Sequence, residues 1–196
     1  MVEARSRVFG PDDSRTLGSL QHLASLYGAL GRTDDVAKVQ LRVYEASLRT
    51  NGPESTQTIG ALDKLATTYT RQSRWAEAEK LRMTELSTVL PMMGPENPYT
   101  LATVEQLSIV RFHQGHAAQS IPALEHVVAI RSKNLGEDHP DTLEAKEWLV
   151  KFKEHAQSNA NKINAVEKKA GEEKAGKEKA GGQKDGEIIE VRAGAP

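Results

Sequence analysis

The feature that most constrains this chain is its likeness to itself at an offset of 42 residues, with no gap needed. That offset superposes Gly10-Pro11, Gly52-Pro53, Gly94-Pro95 and Gly136-Glu137, and six residues after each glycine stands Thr16, Thr58, Thr100 or Thr142. An apolar residue follows each threonine (Leu17, Ile59, Leu101, Leu143), then Leu20, Leu62 and Val104, then Leu23, Leu65, Leu107 and Leu149. Steps of three belong to a helix, and self-similarity at such a period marks an array of small helical units.

Each unit divides into two helices. Asp13, Ser55, Asn97 and His139 share one repeat position, directly before Ser14, Thr56, Pro98 and Pro140. A side-chain acceptor there satisfies a first-turn amide that has no intrahelical partner, and proline loses nothing at the first helical position. The first helix runs about 17 residues and stops near Gly31, Ser73 or Gly115, where glycine permits a left-handed turn. The second helix carries an apolar stripe: Val36, Val39, Val43 and Tyr44 in the first unit, Ala78, Leu81 and Leu86 in the second, Ile121, Leu124, Val127 and Val128 in the third. Pro91, late in the second of these helices, predicts an early end or a bend there.

One helix pair cannot bury its stripe alone, so the units must stack. The expected architecture is all-α, a helix-turn-helix solenoid of units 11–52, 53–94 and 95–136. Residues 1–10 close a preceding unit, since Glu3-Ala4 aligns with Glu45-Ala46, and residues 137–157 supply a capping helix. The chain reads as a fragment of a longer array, with self-association expected through its exposed first helix.

Several function classes drop out on composition. With 26 basic and 27 acidic residues, no net field draws the chain to nucleic acid or an anionic membrane. The absence of cysteine removes disulfides, thiolate ligands and a cysteine nucleophile. There is no apolar run long enough to span a bilayer and no signal-peptide core in the first twenty residues, so a soluble, cytoplasmic protein is expected.

The linker Leu135-Gly-Glu-Asp-His-Pro-Asp-Thr142, the stretch Leu65-Ala66-Thr-Thr-Tyr69, Arg74-Trp75-Ala-Glu-Ala-Glu79 and an early Pro122 together resemble the kinesin light chain type of tetratricopeptide repeat (TPR) over residues 3 to 155. The resemblance implies a protein-binding scaffold whose concave face is lined by the first helices. It also implies an alternative, because similar arrays serve as structural or autoinhibitory arms of multidomain nucleotide-binding (NB-ARC-like) sensors. Positions on the first helices not taken by the apolar stripe are Gln21, His22, Ser25 and Ala29, then Asp63, Lys64, Thr67 and Arg71, then Glu105, Gln106, Ile109 and His113. These are the candidate groove residues, and their mixture of charge and small side chains suits an extended protein or peptide segment. No asparagine stands where chaperone-tail binders of the family clamp a carboxylate. Trp148 is expected to cover the apolar edge of the last unit rather than face the groove.

Signals of chemistry are weak. Gly171-Glu-Glu-Lys-Ala-Gly176-Lys177 matches most of a phosphate loop, but Glu178 replaces its hydroxyl residue and no strand precedes it. His113 and His116 flank Gly115 and lack a third ligand, and Asp138, His139 and Asp141 are explained by capping. No catalytic constellation, cofactor loop or metal set is apparent, so an enzyme is not expected. Residues 158–196, which repeat Lys-Ala-Gly at 169, 174 and 179, are expected to be a low-complexity tail without fixed structure, with Asn159 to Lys169 able to extend the last helix transiently and one apolar cluster at Ile188, Ile189 and Val191.

Overall fold

A computed structural model describes the backbone of residues 1–181 and the side chains of residues 1–169. All described secondary structure is helical: α1 (Val2–Phe9), α2 (Ser14–Ala29), α3 (Thr33–Asn51), α4 (Thr56–Arg71), α5 (Trp75–Met93), α6 (Pro98–His113), α7 (Ala117–Leu135) and α8 (Pro140–Gly181). Helices α2, α4, α6 and α8 begin at residues 14, 56, 98 and 140, so the sequence offset of 42 is also the offset of the fold. From α1 to α7 each helix packs on the next in sequence, forming a stack that spans Met1–Lys153, with residues from Glu154 onward forming a second unit.

The caps set this regularity. The side chains of Asp13, Ser55 and Asn97 accept hydrogen bonds from the amides of Arg15, Gln57 and Tyr99. His139 does the same through its ring: Nδ1 accepts from the amide of Asp141 at 3.2 Å. The far ends of the first helices close with one repeated motif. The amides of Arg32, Arg74 and His116 donate to the carbonyls of Tyr27, Tyr69 and Arg111, while those of Gly31, Ser73 and Gly115 donate to Gly28, Thr70 and Phe112. That pair of bonds is the Schellman closure, which needs a left-handed residue after the helix. Gly31 and Gly115 supply it at φ 69° and 86°, and Ser73 adopts it at φ 57°.

Apolar packing joins successive helices. Leu17 and Leu20 of α2 meet Val43 and Ala46 of α3 and Ala61 of α4, with Val2 of α1 against them. Leu101, Val127 and Ala145 join α6, α7 and α8. Around Phe152 a second cluster gathers Ala117 and Leu124, with Phe112, Ile121, Trp148 and Leu149 packed against it. Trp148 is therefore a cover for the last unit, edge-on to Phe112 at 6.1 Å and to Phe152 at 6.2 Å between ring centroids.

Three expectations need correction: the early end at Pro91, the apolar stripe of α5 and the stop near Gln157. Pro91 neither shortens α5 nor shifts its end: the helix stops at Met93, the repeat equivalent of Asn51 and Leu135. Proline removes one amide, the donor to the Ser87 carbonyl, and both residues are exposed, so water can serve that carbonyl. Along α5, Leu81 and Leu86 are only half-buried, and the inward face belongs instead to Ala78, Arg82, Glu85 and Val89.

The last helix does not stop near Gln157 but continues to Gly181. Alanine, glutamate and lysine are strong helix formers, which accounts for its course through a segment with little to bury. From Gln157 to Lys169 every residue except the half-buried Asn159 is exposed. The stretch resembling a phosphate loop has helical backbone at 171–177, so no loop forms there. The apolar cluster Ile188, Ile189 and Val191 lies outside the described residues.

Candidate interaction groove

The first helices of units one and two, α2 and α4, leave a hollow between them. Its walls are Gln21, His22 and Ser25 from α2 and Lys64 from α4, and Ala24, Gln40, Val43 and Ala61 complete its lining, enclosing about 280 Å³. A second hollow of about 550 Å³ shares Gln21, Ala61 and Lys64 and runs toward the helix starts past Gly18, Gln57 and Gly60. Four of the expected groove residues thus meet at one site. The local cause is the repeat position itself. On each first helix the residues one and two places after Leu20 or Leu62 point away from the buried stripe, and small neighbours (Gly18, Gly60, Ala61) keep the trough open.

Charge in this region is unevenly paired. Asp12 is held by Arg49 at 3.0 Å, whereas the side chains of Lys64 and Arg71 are exposed and make no hydrogen bond or ion pair among the described residues. Asp63 is half-buried and accepts from Arg82 Nη1 at 2.5 Å, and Thr67 accepts from Arg82 Nη2 at 2.7 Å. These two groove positions are fixed from behind rather than free to turn toward a partner. Their holder, Arg82, is 3% exposed and also contacts Glu85 at 2.6 Å. Glu85 is fully buried, and its second oxygen accepts from the Tyr99 hydroxyl at 2.5 Å.

The network Asp63, Arg82, Glu85, Tyr99 therefore ties α4, α5 and α6 together through an ion pair at positions that hold Gln40 and Val43 in unit one and Leu124 and Val127 in unit three. Burial works against the charge on Arg82, but Glu85 and Asp63 outweigh it and hold its pKa up. Burial, then the hydrogen bond to Glu85, pushes the Tyr99 phenol upward. Sequence reading missed this network, although a signal was present: Glu85 stands at the repeat position of Val43 and Val127, and Arg82 at that of Gln40 and Leu124.

Unit three departs from the expected groove. Glu105 is buried and paired with Arg131 of α7 at 2.9 Å, with burial raising its pKa against the pull of that guanidinium. Ile109 is buried too, as an apolar side chain tends to be where Ser25 and Thr67 stand in the other units. Neither lines an open surface. Gln106 is half-buried, and His113 is exposed with its ring stacked on Trp75, 4.3 Å between centroids and 9° from parallel. Among the described residues no group of three or more His, Asp or Glu side chains is placed to hold a metal ion. Nor is any described helix long and apolar enough to cross a membrane.

Stacked helix pairs of this kind, capped alike and closed alike, define an α-helical tandem-repeat scaffold. More particularly, residues 58–81 and 100–141 match the sequence profile of the tetratricopeptide repeat. The neighbours in fold are kinesin light chain-like. One is a crystal structure of the kinesin light chain-type, nearly identical TPR-like repeats of Podosopora anserina, at a TM-score of 0.70 and 22% identity, covering 85% of this chain and 79% of that one. A point-substituted form of the same protein gives 0.71 with the same identity and coverage. BtubC (BKLC) from P. vanneervenii follows at 0.64 and 20% identity, covering 92% of this chain and 69% of that one. At these identities the likeness concerns the fold. Among curated proteins, none matches the chain significantly. A fold of this type supports a protein-interaction repeat module in general terms.

Proposed function

We propose that the chain binds an extended segment of another protein in the trough between α2 and α4. The observation that carries this reading is the convergence of Gln21, His22, Ser25 and Lys64 on one open hollow with a small apolar floor at Ala24, Val43 and Ala61. Amide and hydroxyl side chains at the rim match the donors and acceptors of an extended backbone, and the floor accepts one small apolar side chain. The cations Lys64 and Arg71, unpaired among the described residues, orient the segment by charge and raise its rate of encounter more than its final affinity.

The test begins with a random peptide library selected against the wild-type chain. Lys64→Glu with Arg71→Glu is then compared with the wild type against the peptides recovered. About a tenfold or greater loss of affinity, equivalent to about 1.4 kcal/mol, supports the site. Unchanged affinity, with the fold intact by circular dichroism, places the contact elsewhere. A control pair on α3 and α5, Lys38→Glu with Lys80→Glu, is expected to leave binding unaltered.

A further inference from the structure

Beyond the stack, α8 carries an apolar seam that no described residue covers at Ile163 and Val166. Ala156, Asn159, Ile163 and Val166 are spaced three, four and three apart. At 3.6 residues per turn they fall within an arc of about 80°. Ile163 and Val166 are 58% and 68% exposed on a helix whose other residues from Gln157 to Lys169 are polar or alanine, so the seam stands out from its surroundings. This is the narrow stripe of a coiled coil and not the broader face of a helix lying on a globular core.

The flanking charges choose the occupant. Lys162 borders the seam on one side and Glu167 on the other, five residues apart. In two parallel, in-register copies, Lys162 of one faces Glu167 of the other, twice by symmetry. In an antiparallel pair lysine would meet lysine and glutamate would meet glutamate. Asn159 adds a single polar seam position, which costs stability when out of register and pairs with itself when in register. Within one chain its side chain lies 3.3 Å from the ring of His155. We infer that residues 156–169 associate with the same segment of a second copy as a short parallel coiled coil, joining two repeat modules and so presenting two interaction faces.

The experiment is sedimentation equilibrium of the full chain over a range reaching high micromolar concentration. A mass rising from monomer to dimer is expected, and a strictly monomeric wild type overturns the proposal. Ile163→Asp with Val166→Asp is expected to abolish the dimer while the thermal unfolding of the repeats is unchanged. A dimer surviving in that variant overturns the proposal by placing the contact elsewhere, for example on α1. Lys162→Glu alone should weaken the dimer, and adding Glu167→Lys should restore it. Because the chain has no cysteine, Asn159→Cys and Val166→Cys, made separately, report the direction: each links to itself under oxidation only if the strands are parallel and in register.

Discussion

Units two and three of the stack share helix lengths, caps and closures, yet one pair of equivalent interior positions is filled by opposite chemistry. In α7 two of the inward positions are Leu124 and Val127, both fully buried. In α5 the same repeat positions hold Arg82 and Glu85, buried just as deeply. The comparison teaches that the repeat geometry is carried by backbone punctuation at the ends of each helix. The identity of the buried side chains matters less, provided every polar atom brought inside finds a partner. Of the Arg82 and Glu85 side-chain atoms only Nε of Arg82 lacks one. The pair also reaches the groove, because Asp63 and Thr67 are held by the same guanidinium.

The largest effect is expected from breaking the polar interior on one side. Glu85→Ala leaves Arg82 buried with Asp63 as its one remaining charged partner and the Tyr99 hydroxyl without its acceptor, and removal of one member of a buried pair costs about 3–5 kcal/mol. Thermal unfolding of the variant measures it. The apolar interior sets the scale: Phe152→Ala, which empties a fully buried position between Leu124 and Ala117, should cost about 3–5 kcal/mol as well. Converting unit two into the likeness of unit three by Arg82→Leu, Glu85→Val and Tyr99→Phe together should instead be neutral or stabilising by about 1–4 kcal/mol. If the triple variant is as unstable as Glu85→Ala, the network is required for the fold and the comparison fails. If it is stable but binds groove peptides less well, the buried pair serves to position Asp63.

A smaller effect separates two acids whose environments act in opposite directions. Asp13 caps α2 and is chelated by Arg15 through both oxygens, at 2.8 and 3.0 Å, and the hydrogen bonds from Arg15 lower its pKa from 3.8 to about 2. A lowered acid stabilises the fold above its unfolded value, and that contribution is lost as pH falls through the folded one. Asp13→Asn keeps the cap and removes the charge, so the stability difference from wild type should shrink as pH falls from about 4 to about 2. Glu105 has the other sign. Its pKa is raised by burial, so its contribution is present at acid pH and is lost as pH rises through the raised value. Urea midpoints of Asp13→Asn, Glu105→Gln and wild type, followed from about pH 2 to about pH 7, should diverge in opposite directions.

What was legible in the sequence was what is local. Asp13, Ser55, Asn97 and His139 act within two residues of themselves, and Gly31 and Gly115 impose their turns directly, so position alone revealed them. Gln21, His22, Ser25 and Lys64 were legible because a periodic stripe also defines the residues outside it. Glu105 was read as a groove residue because its partner, Arg131, lies 26 residues away on another helix, and a glutamate is buried only when such a partner exists. Arg82 and Glu85 were hidden for the same reason, and the only trace was their mismatch with Leu124 and Val127 one repeat later. The helix beyond Gln157 was obscured by composition: few apolar residues argued against structure, while alanine, lysine and glutamate favour a helix that needs no core.

The smallest effect sharpens the comparison at a single backbone position. Units one and three close their first helices with Gly31 and Gly115, whereas unit two uses Ser73 at φ 57°. A side chain in the left-handed region crowds its own carbonyl, so Ser73 holds strain that its two counterparts do not. Nothing in the Schellman closure requires the hydroxyl, because the hydrogen bonds from Ser73 and Arg74 come from their amides. Ser73→Gly should therefore stabilise the chain by about 1 kcal/mol, the relief of strain being partly offset by the greater freedom of glycine in the unfolded chain. Gly31→Ser places the same strain in unit one and should cost a similar amount. Chemical denaturation of the two variants checks both signs. Equal and opposite shifts would establish that the turn carries its energetics locally in each unit, independent of whether the helices behind it enclose leucine and valine or arginine and glutamate.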